Sequence, residues 1–274
     1  MSMRRREAIL EASRPAALDE ERDPQFVEAL ARGLDVLRAF RRGDPPLANQ
    51  ELARRTGLPK PTVSRLTYTL SRLGYLAYDP ELARYSLSAG ALALGFTALG
   101  SLGLRDVARP LMQELADHAG ASAALGTRDR FTMVYVEHCR GDSPVHIALD
   151  TGAHIKLATT AMGRAYLAGL PAPERARLLD QLAEREGARW PAIRDGIDQA
   201  IEDLTTRGFV LSAGDWKAEI SAVGVPLPVG TGSLAFALNC GGPTFLMPRE
   251  RLIDDLGPRL AALADRLGRM LGSG

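Results

Sequence analysis

The stretch TGLPKPTVSRLTYTLSRLGYL, residues 56–76, constrains what this chain can fold into more tightly than any other. Gly57 offers a left-handed stop for whatever helix precedes it. Pro61 sits where a first turn tolerates proline, because that amide has no intrahelical partner. Val63, Leu66, Leu70 and Leu73 then recur at helical spacing. At 100° per residue the opposite side carries Pro61, Ser64, Arg65, Tyr68 and Arg72, a short-chained polar face at the helix start.

Upstream, FVEALARGLDVLRAFRR (26–42) places Phe26, Ala29, Leu30, Leu34, Leu37 and Phe40 on one stripe, a helix that Gly43 and the pair Pro45-Pro46 end. Asn49 is expected to cap a short second helix that turns Leu52 and Ala53 inward and closes at Gly57. Downstream, YLAYDPELARYSLS reads as a hairpin turning at Asp79-Pro80. Three helices with a tight Gly-containing turn, followed by a hairpin, make a winged helix-turn-helix. Its exposed helix face suits a major groove, with Ser64 and Arg65 reaching base edges and Arg72 a phosphate. Arg84, expected at the wing tip, is a phosphate or minor-groove contact. The candidate DNA-binding set is Lys60, Pro61, Thr62, Ser64, Arg65, Tyr68, Arg72 and Arg84. The bland alternative is a solvated helix face.

Charge leans the same way. The net charge is only +1, but residues 26–90 hold ten Lys/Arg against six Asp/Glu, while 91–274 hold nineteen against twenty-one. The excess at one end is modest and gains meaning only beside the motif. Residues 1–25 are expected to be a flexible extension. Their arginine run lacks the apolar stretch of a signal sequence, and their acidic residues argue against a transit peptide, so a cytoplasmic protein is expected. Cys139 and Cys240 are too few for a disulfide framework and have no metal-ligand spacing, which fits reduced, buried thiols.

Residues 86–104, SLSAGALALGFTALGSLGL, run nineteen positions without a charge. Length alone raises a membrane span, but four glycines, three serines and a threonine make the segment only mildly apolar, with no aromatic belt beside it. Close packing of an Ala/Gly/Leu helix against its own copy or a neighbouring domain explains it better, so it reads as a linker helix and dimer contact. Beyond it, strand-like ASAALGTRD, FTMVYVEHC, VHIALD, GFVLSA, ISAVGVPLP and SLAFALNC alternate with amphipathic helical segments. Short turns, one at Asp142-Ser143-Pro144, imply an antiparallel sheet with helices on its faces, an α+β domain.

No enzyme motif is present in that domain: no GxSxG and no HExxH. Gly230-Thr231-Gly232 and Gly241-Gly242 lack the helix start that a phosphate cradle needs. His118, His138, His146 and His154 put no two on one helical face, and Asp150 with His154 would form a dyad without a nucleophile. Neither a cofactor nor a metal is expected. GAHIKLATTAMGRAYLA is more informative, because a strand ends at Thr159-Thr160 and a helix starts with Ala161, Met162 and Gly163. Free amides and the positive dipole end there suit a carboxylate, with Lys156 nearby. The same residues read equally well as a Thr-capped helix packed on a sheet. Trp216, with Ser221, Val223 and Asn239, completes a mostly apolar cavity or is plain core.

Taken in order, ARGLDVLRAF, ELARRTGLPKPTVSRLTYTLSRLGYL, YSLSAGALALG, TTAMGRAYLA, ISAVGVPLP and the terminal helix resemble the IclR family of bacterial transcriptional regulators over nearly all of residues 26–270. DPQFVEALARGLDVLRAF is similar to the branch that controls catabolism of aromatic acids such as protocatechuate and 4-hydroxybenzoate. The resemblance implies a winged helix-turn-helix domain at 26–88, a linker helix at 89–104 and a GAF-like effector-binding domain at 105–274. It also implies homodimers, often dimers of dimers, on a palindromic duplex operator. RNA polymerase is a further partner to be expected, and no membrane association is expected. Matching motifs place the effector pocket at Ala161, Met162, Gly163, Leu211, Ser221, Asn239 and Gly241, to which Trp216 and Lys156 are added from the residues themselves. Lys156 stands where many relatives have proline, and Asn49-Gln50 replaces a Ser/Thr capping pattern. Two other classes remain open: a small-acid enzyme or sensor whose N-terminal helices dock a protein, and a constitutive architectural DNA-binding protein.

Overall fold

The computed structural model describes residues 25–100, 103–143, 145, 148–227 and 235–272. The expected N-terminal extension, apart from Gln25, lies outside the described residues, as do His146 and the Gly230-Thr231-Gly232 stretch. The chain divides into two compact units between Leu102 and Gly103.

The first unit contains α1 (Glu28–Arg38), α2 (Asn49–Thr56), α3 (Lys60–Arg72), the hairpin β1 (Leu76–Asp79) and β2 (Arg84–Leu87), and α4 (Ala89–Gly100). Val36, Ala39, Leu47, Leu52, Val63 and Leu76 form its core. Gly57 takes φ +73° and closes α2, while Pro61 occupies the first turn of α3. The wing turns where Asp79 Oδ1 accepts the amides of Glu81 and Leu82, at 2.9 and 3.1 Å.

Three expectations need correction here. The stripe drawn along α1 is its buried side only in part: Leu37 and Phe40 pack against the core beside the buried Gly33 and Val36, whereas Leu30 and Leu34 are 62% and 48% exposed. The helix has two apolar sides, and helical periodicity cannot say which of them the core takes. Leu73, placed on the inner stripe of α3, is 64% exposed, because the helix ends at Arg72 and the chain turns away at Gly74. Asn49 caps nothing. Ala48 precedes the helix without a side-chain cap, and the Asn49 side-chain Oδ1 instead accepts a hydrogen bond from the Thr67 hydroxyl at 3.2 Å.

The second unit is built on one antiparallel sheet in the order β5-β4-β3-β8-β7-β6. Its strands are β3 (Ser122–Asp129), β4 (Thr132–Arg140), β5 (His154–Lys156), β6 (Val210–Ala213), β7 (Ile220–Leu227) and β8 (Phe236–Pro243). Helix α5 (Leu104–Ala119) packs on β3 and β4, and α9 (Gly257–Gly272) packs on β7 and on α5. Helix α6 (Ala161–Gly169) packs on β7 and β8, backed by α8 (Trp190–Arg207), which α7 (Ala172–Glu186) joins. The strand expected at VHIALD is absent among its described residues; His154–Lys156 pairs with β4 in its place. The main core gathers Met133, Leu157, Met162, Leu167, Leu182 and Ile197 between the sheet and α6 to α8. Burial raises both thiols, Cys139 to about 11 and Cys240 to about 12, so they remain protonated. Among the described residues no single helix is long and apolar enough to cross a membrane.

Candidate DNA-contact face and effector cavity

Helix α3 is held by its buried side. Val63 and Thr67 are fully buried, and the Thr67 hydroxyl is tied both to Asn49 and to the Ser64 carbonyl, at 3.1 Å. Arg55 fixes the preceding helix to the α1–α2 loop. Its guanidinium donates to the Ala39 carbonyl at 2.9 Å and to Glu51 at 2.7 Å, and it pairs with Asp44. A cation with three acceptors in a site only 11% exposed holds α2 against the end of α1 and the loop that follows it.

With that side anchored, Lys60, Pro61, Ser64, Arg65, Tyr68 and Arg72 all stand exposed, Tyr68 at 66%, and Thr62 is half-buried. Thr62 and Arg65 also edge an apolar groove between α1, α3 and α4, lined by Leu30, Leu34, Leu37, Leu66, Leu70, Leu73 and Leu94. Arg84 is exposed at the base of the wing, but its guanidinium donates to the Pro46 carbonyl at 3.3 Å. The turn beyond it carries Asp79 and Glu81, an acidic tip.

The second site is a cavity of about 40 Å³ under the sheet, walled by residues of all six strands and the start of α6. Of the residues expected there, Ala161, Trp216, Asn239 and Gly241 line it. The others do not. Met162 is fully buried in the core behind α6, its Sδ against Gly126. The Gly163 amide donates to the Thr160 side chain at 3.1 Å, so it is not free, and its Cα lies against Leu157. Leu211, Ser221 and Val223 have the wrong strand parity: Ser212, Ile220 and Ala222 face the cavity, while Ser221 bonds Thr244 at 3.1 Å. Lys156 lies at the end of β5 and is not part of the wall; only its backbone carbonyl takes part nearby, accepting from Thr160 at 2.7 Å. The Thr-capped reading of this helix is therefore present in the structure, and Thr160 lines the cavity as well.

Sequence reasoning missed Tyr135 and His138, and a β-bulge explains why. Leu125 pairs with Glu137 and Gly126 with Tyr135, leaving Val136 without a partner in the ladder. The extra residue inverts the alternation of β4. Tyr135 and His138 consequently face the cavity, with ring centroids 5.7 Å apart, while Glu137 points to α5, where Arg105 and Arg109 hold it at 2.5 and 2.6 Å. Burial pushes the Tyr135 hydroxyl up to about 12, opposed by a hydrogen bond from Asn239. Burial also lowers His138, with Arg140 adding to the effect and Asp150 opposing it. The Asp150 carboxylate lies 3.6 Å from His138 Nδ1, and His154 Nδ1 meets the Thr132 hydroxyl at 2.9 Å. Among the described residues no His/Cys/Asp/Glu cluster could hold a metal ion.

Trp216 reaches the wall from the β6–β7 loop, which is pinned by an ion pair: Arg164 of α6, 8% exposed, donates to Asp215 at 2.6 Å. Lys217 Nζ covers the outer face of the indole at 4.5 Å.

A winged helix-turn-helix in one unit and a walled cavity beneath an antiparallel sheet in the other define a DNA-binding regulator with a ligand-binding domain. Residues 29–80 match the IclR helix-turn-helix domain, and residues 96–269 match the bacterial transcriptional regulator IclR C-terminal domain. The HTH-type transcriptional regulator TsaQ1/TsaQ2 of Comamonas testosteroni is 36% identical over 244 residues, 88% of this chain and 87% of that one. An IclR family transcriptional regulator from Brucella abortus superimposes with a TM-score of 0.82 at 45% identity, covering 96% of this chain and 98% of that one. An IclR homolog from Microbacterium hydrocarbonoxydans, solved with 4-hydroxybenzoate, shares the fold, with a TM-score of 0.71 at 19% identity over 90% of this chain and all of that one. The chain belongs to the IclR family of transcriptional regulators, DNA-binding proteins rather than enzymes.

Proposed function

We propose that the protein reads a palindromic operator as a homodimer or dimer of dimers, and that a small carboxylic acid, aromatic in class, sets its operator affinity from the C-terminal cavity. The proposed division of labour is DNA contact by residues 26–88, subunit contact by 89–104 and effector binding by 105–274. The protein would act in the cytoplasm, at promoters where RNA polymerase is the other partner. What carries the reading is the exposed polar face of α3, Lys60 to Arg72, on a helix locked from behind by Thr67 and Asn49.

One such helix makes few base contacts, each good bidentate pair giving roughly 1–3 kcal/mol of discrimination, too little against on the order of a million competing sites. Two copies supply the difference. The effector acts through unequal affinity for the DNA-competent and incompetent states, with coupling of roughly 1–3 kcal/mol. Ala161, at the start of α6 and in the cavity wall, offers its backbone amide to the carboxylate. At about 40 Å³ the cavity holds two or three waters, so an aromatic ring enters only as the Trp216 loop gives way. The acid-bound fold relative from Microbacterium hydrocarbonoxydans motivates the aromatic class.

The test is fluorescence anisotropy of the full chain on duplexes selected from a random library, with and without benzoate, 4-hydroxybenzoate and short aliphatic acids. Sequence-specific binding should weaken with added salt and shift roughly 5- to 150-fold with an active acid. Arg65→Ala should lose specific retention while keeping the acid-induced Tm shift. Recovery of no preferred duplex, or consumption of a bound acid, would sink the proposal.

A further inference from the structure

We propose that His138, oriented by Asp150, selects effectors that carry a hydroxyl group, accepting a hydrogen bond from that hydroxyl at its Nε2; the inference rests on the cavity being the effector site. The bulge at Val136 puts this ring in the wall, with its side chain only 3% exposed. A carboxylate 3.6 Å from Nδ1 favours a proton on that nitrogen. Burial disfavours a second proton, which leaves Nε2 the nitrogen with a lone pair, on a ring that lines the cavity.

A second, independent feature points to the same chemistry. Asn239 Oδ1 is buried without any hydrogen-bond partner, in the same wall, while the Asn239 side chain is engaged with Tyr135. Buried acceptors without donors are rare, because each forfeits its hydration. This one, in the same small wall as the His138 ring, calls for a ligand that brings donors, and a bare carboxylate brings none. Among the described residues no Lys or Arg lines the cavity, so the wall has no cation to hold a second negative group. The fitting class is therefore a monocarboxylic acid with a phenolic or alcoholic hydroxyl, rather than a dicarboxylate or an unsubstituted acid.

Calorimetric titration of the full chain with two matched pairs tests this: benzoate against 4-hydroxybenzoate, and propionate against lactate. The hydroxylated member of at least one pair should bind roughly tenfold tighter, the scale of one buried hydrogen bond. His138→Phe keeps the ring's bulk and should erase that preference by weakening the hydroxylated acid alone. His138→Gln, which returns an acceptor near the Nε2 position, should restore part of it. If His138→Phe does not keep the unliganded Tm, Asp150→Ala on the half-exposed side carries the same test and should shrink the preference. Equal affinity within both pairs, or a preference that survives in both His138→Phe and Asp150→Ala, would overturn this inference alone. Binding of neither member of either pair would overturn it together with the effector reading.

Discussion

A Cβ on Gly163 would stand 2.0 Å from the carbonyl oxygen of Leu157, on rigid backbone. The residue is therefore a packing position of α6 and not a place where a ligand approaches. Gly163→Ala should lower stability by about 2–3 kcal/mol, in the upper range for overpacking, and should depress the Tm of the C-terminal unit in calorimetry whether or not an acid is present. A variant that kept its Tm and lost only acid binding would restore Gly163 to the cavity. Gly126 is a second packing glycine, because its missing side chain makes room for Met162. At this scale TTAMGRAYLA announces a helix start correctly, yet a one-dimensional pattern cannot separate glycine tolerated for a ligand from glycine demanded by the Leu157 backbone in the turn before the helix. The Thr160 cap decides it, by taking the Gly163 amide.

The elements of the DNA-binding motif depend on side-chain charge more than their apolar periodicity suggests. Hydrogen bonds from Arg54 and then Arg55 hold the Glu51 carboxyl at about 2, well below its ordinary 4.5. A carboxyl whose folded value is depressed contributes stability that is fully present above its unfolded value and is lost as pH falls through the folded one. Stability of the N-terminal unit should accordingly hold down to about pH 4.5 and decline toward about pH 2. Glu51→Gln should flatten that decline in a circular-dichroism melting series; an unchanged profile would show that the pairing with Arg54 and Arg55 is not felt in solution. The helices, the Gly57 stop and the turn at Asp79-Pro80 were all legible, since each rests on local backbone preferences. The buried side of α1 was legible only in part: Leu30 and Leu34 look like core residues until Val36 and Ala39 are seen to occupy it.

For the molecule as a whole, α4 poses the sharpest demand. Twelve residues, none buried, present Leu92, Leu94 and Phe96 at 61%, 58% and 62% exposure, and the neighbouring groove adds Leu30, Leu34 and Leu73. A helix apolar on every side does not persist in water uncovered. A second copy covers it in the proposed dimer. Leu94→Glu should convert the dimer to monomer in light scattering and cut operator affinity at least about a hundredfold, since losing a half-site removes several kcal/mol of contact. Acid binding by the other unit should be unaffected. A Leu94→Glu protein that remains dimeric would move the subunit contact elsewhere.

The amino-acid sequence by itself determined the order of elements, the exposed polar face of α3 and the antiparallel α+β character of the second unit, because hydrophobic period, proline and glycine act over a few residues. Tertiary structure alone decided what β4 contributes to the cavity wall, whereas Ala161, Trp216, Asn239 and Gly241 were expected there from the sequence. There one unpaired residue, Val136, inverts strand parity, bringing Tyr135 and His138 inward and turning Glu137 to the arginines of α5. Parity is a property of pairing between strands, so no pattern within β4 could have carried it.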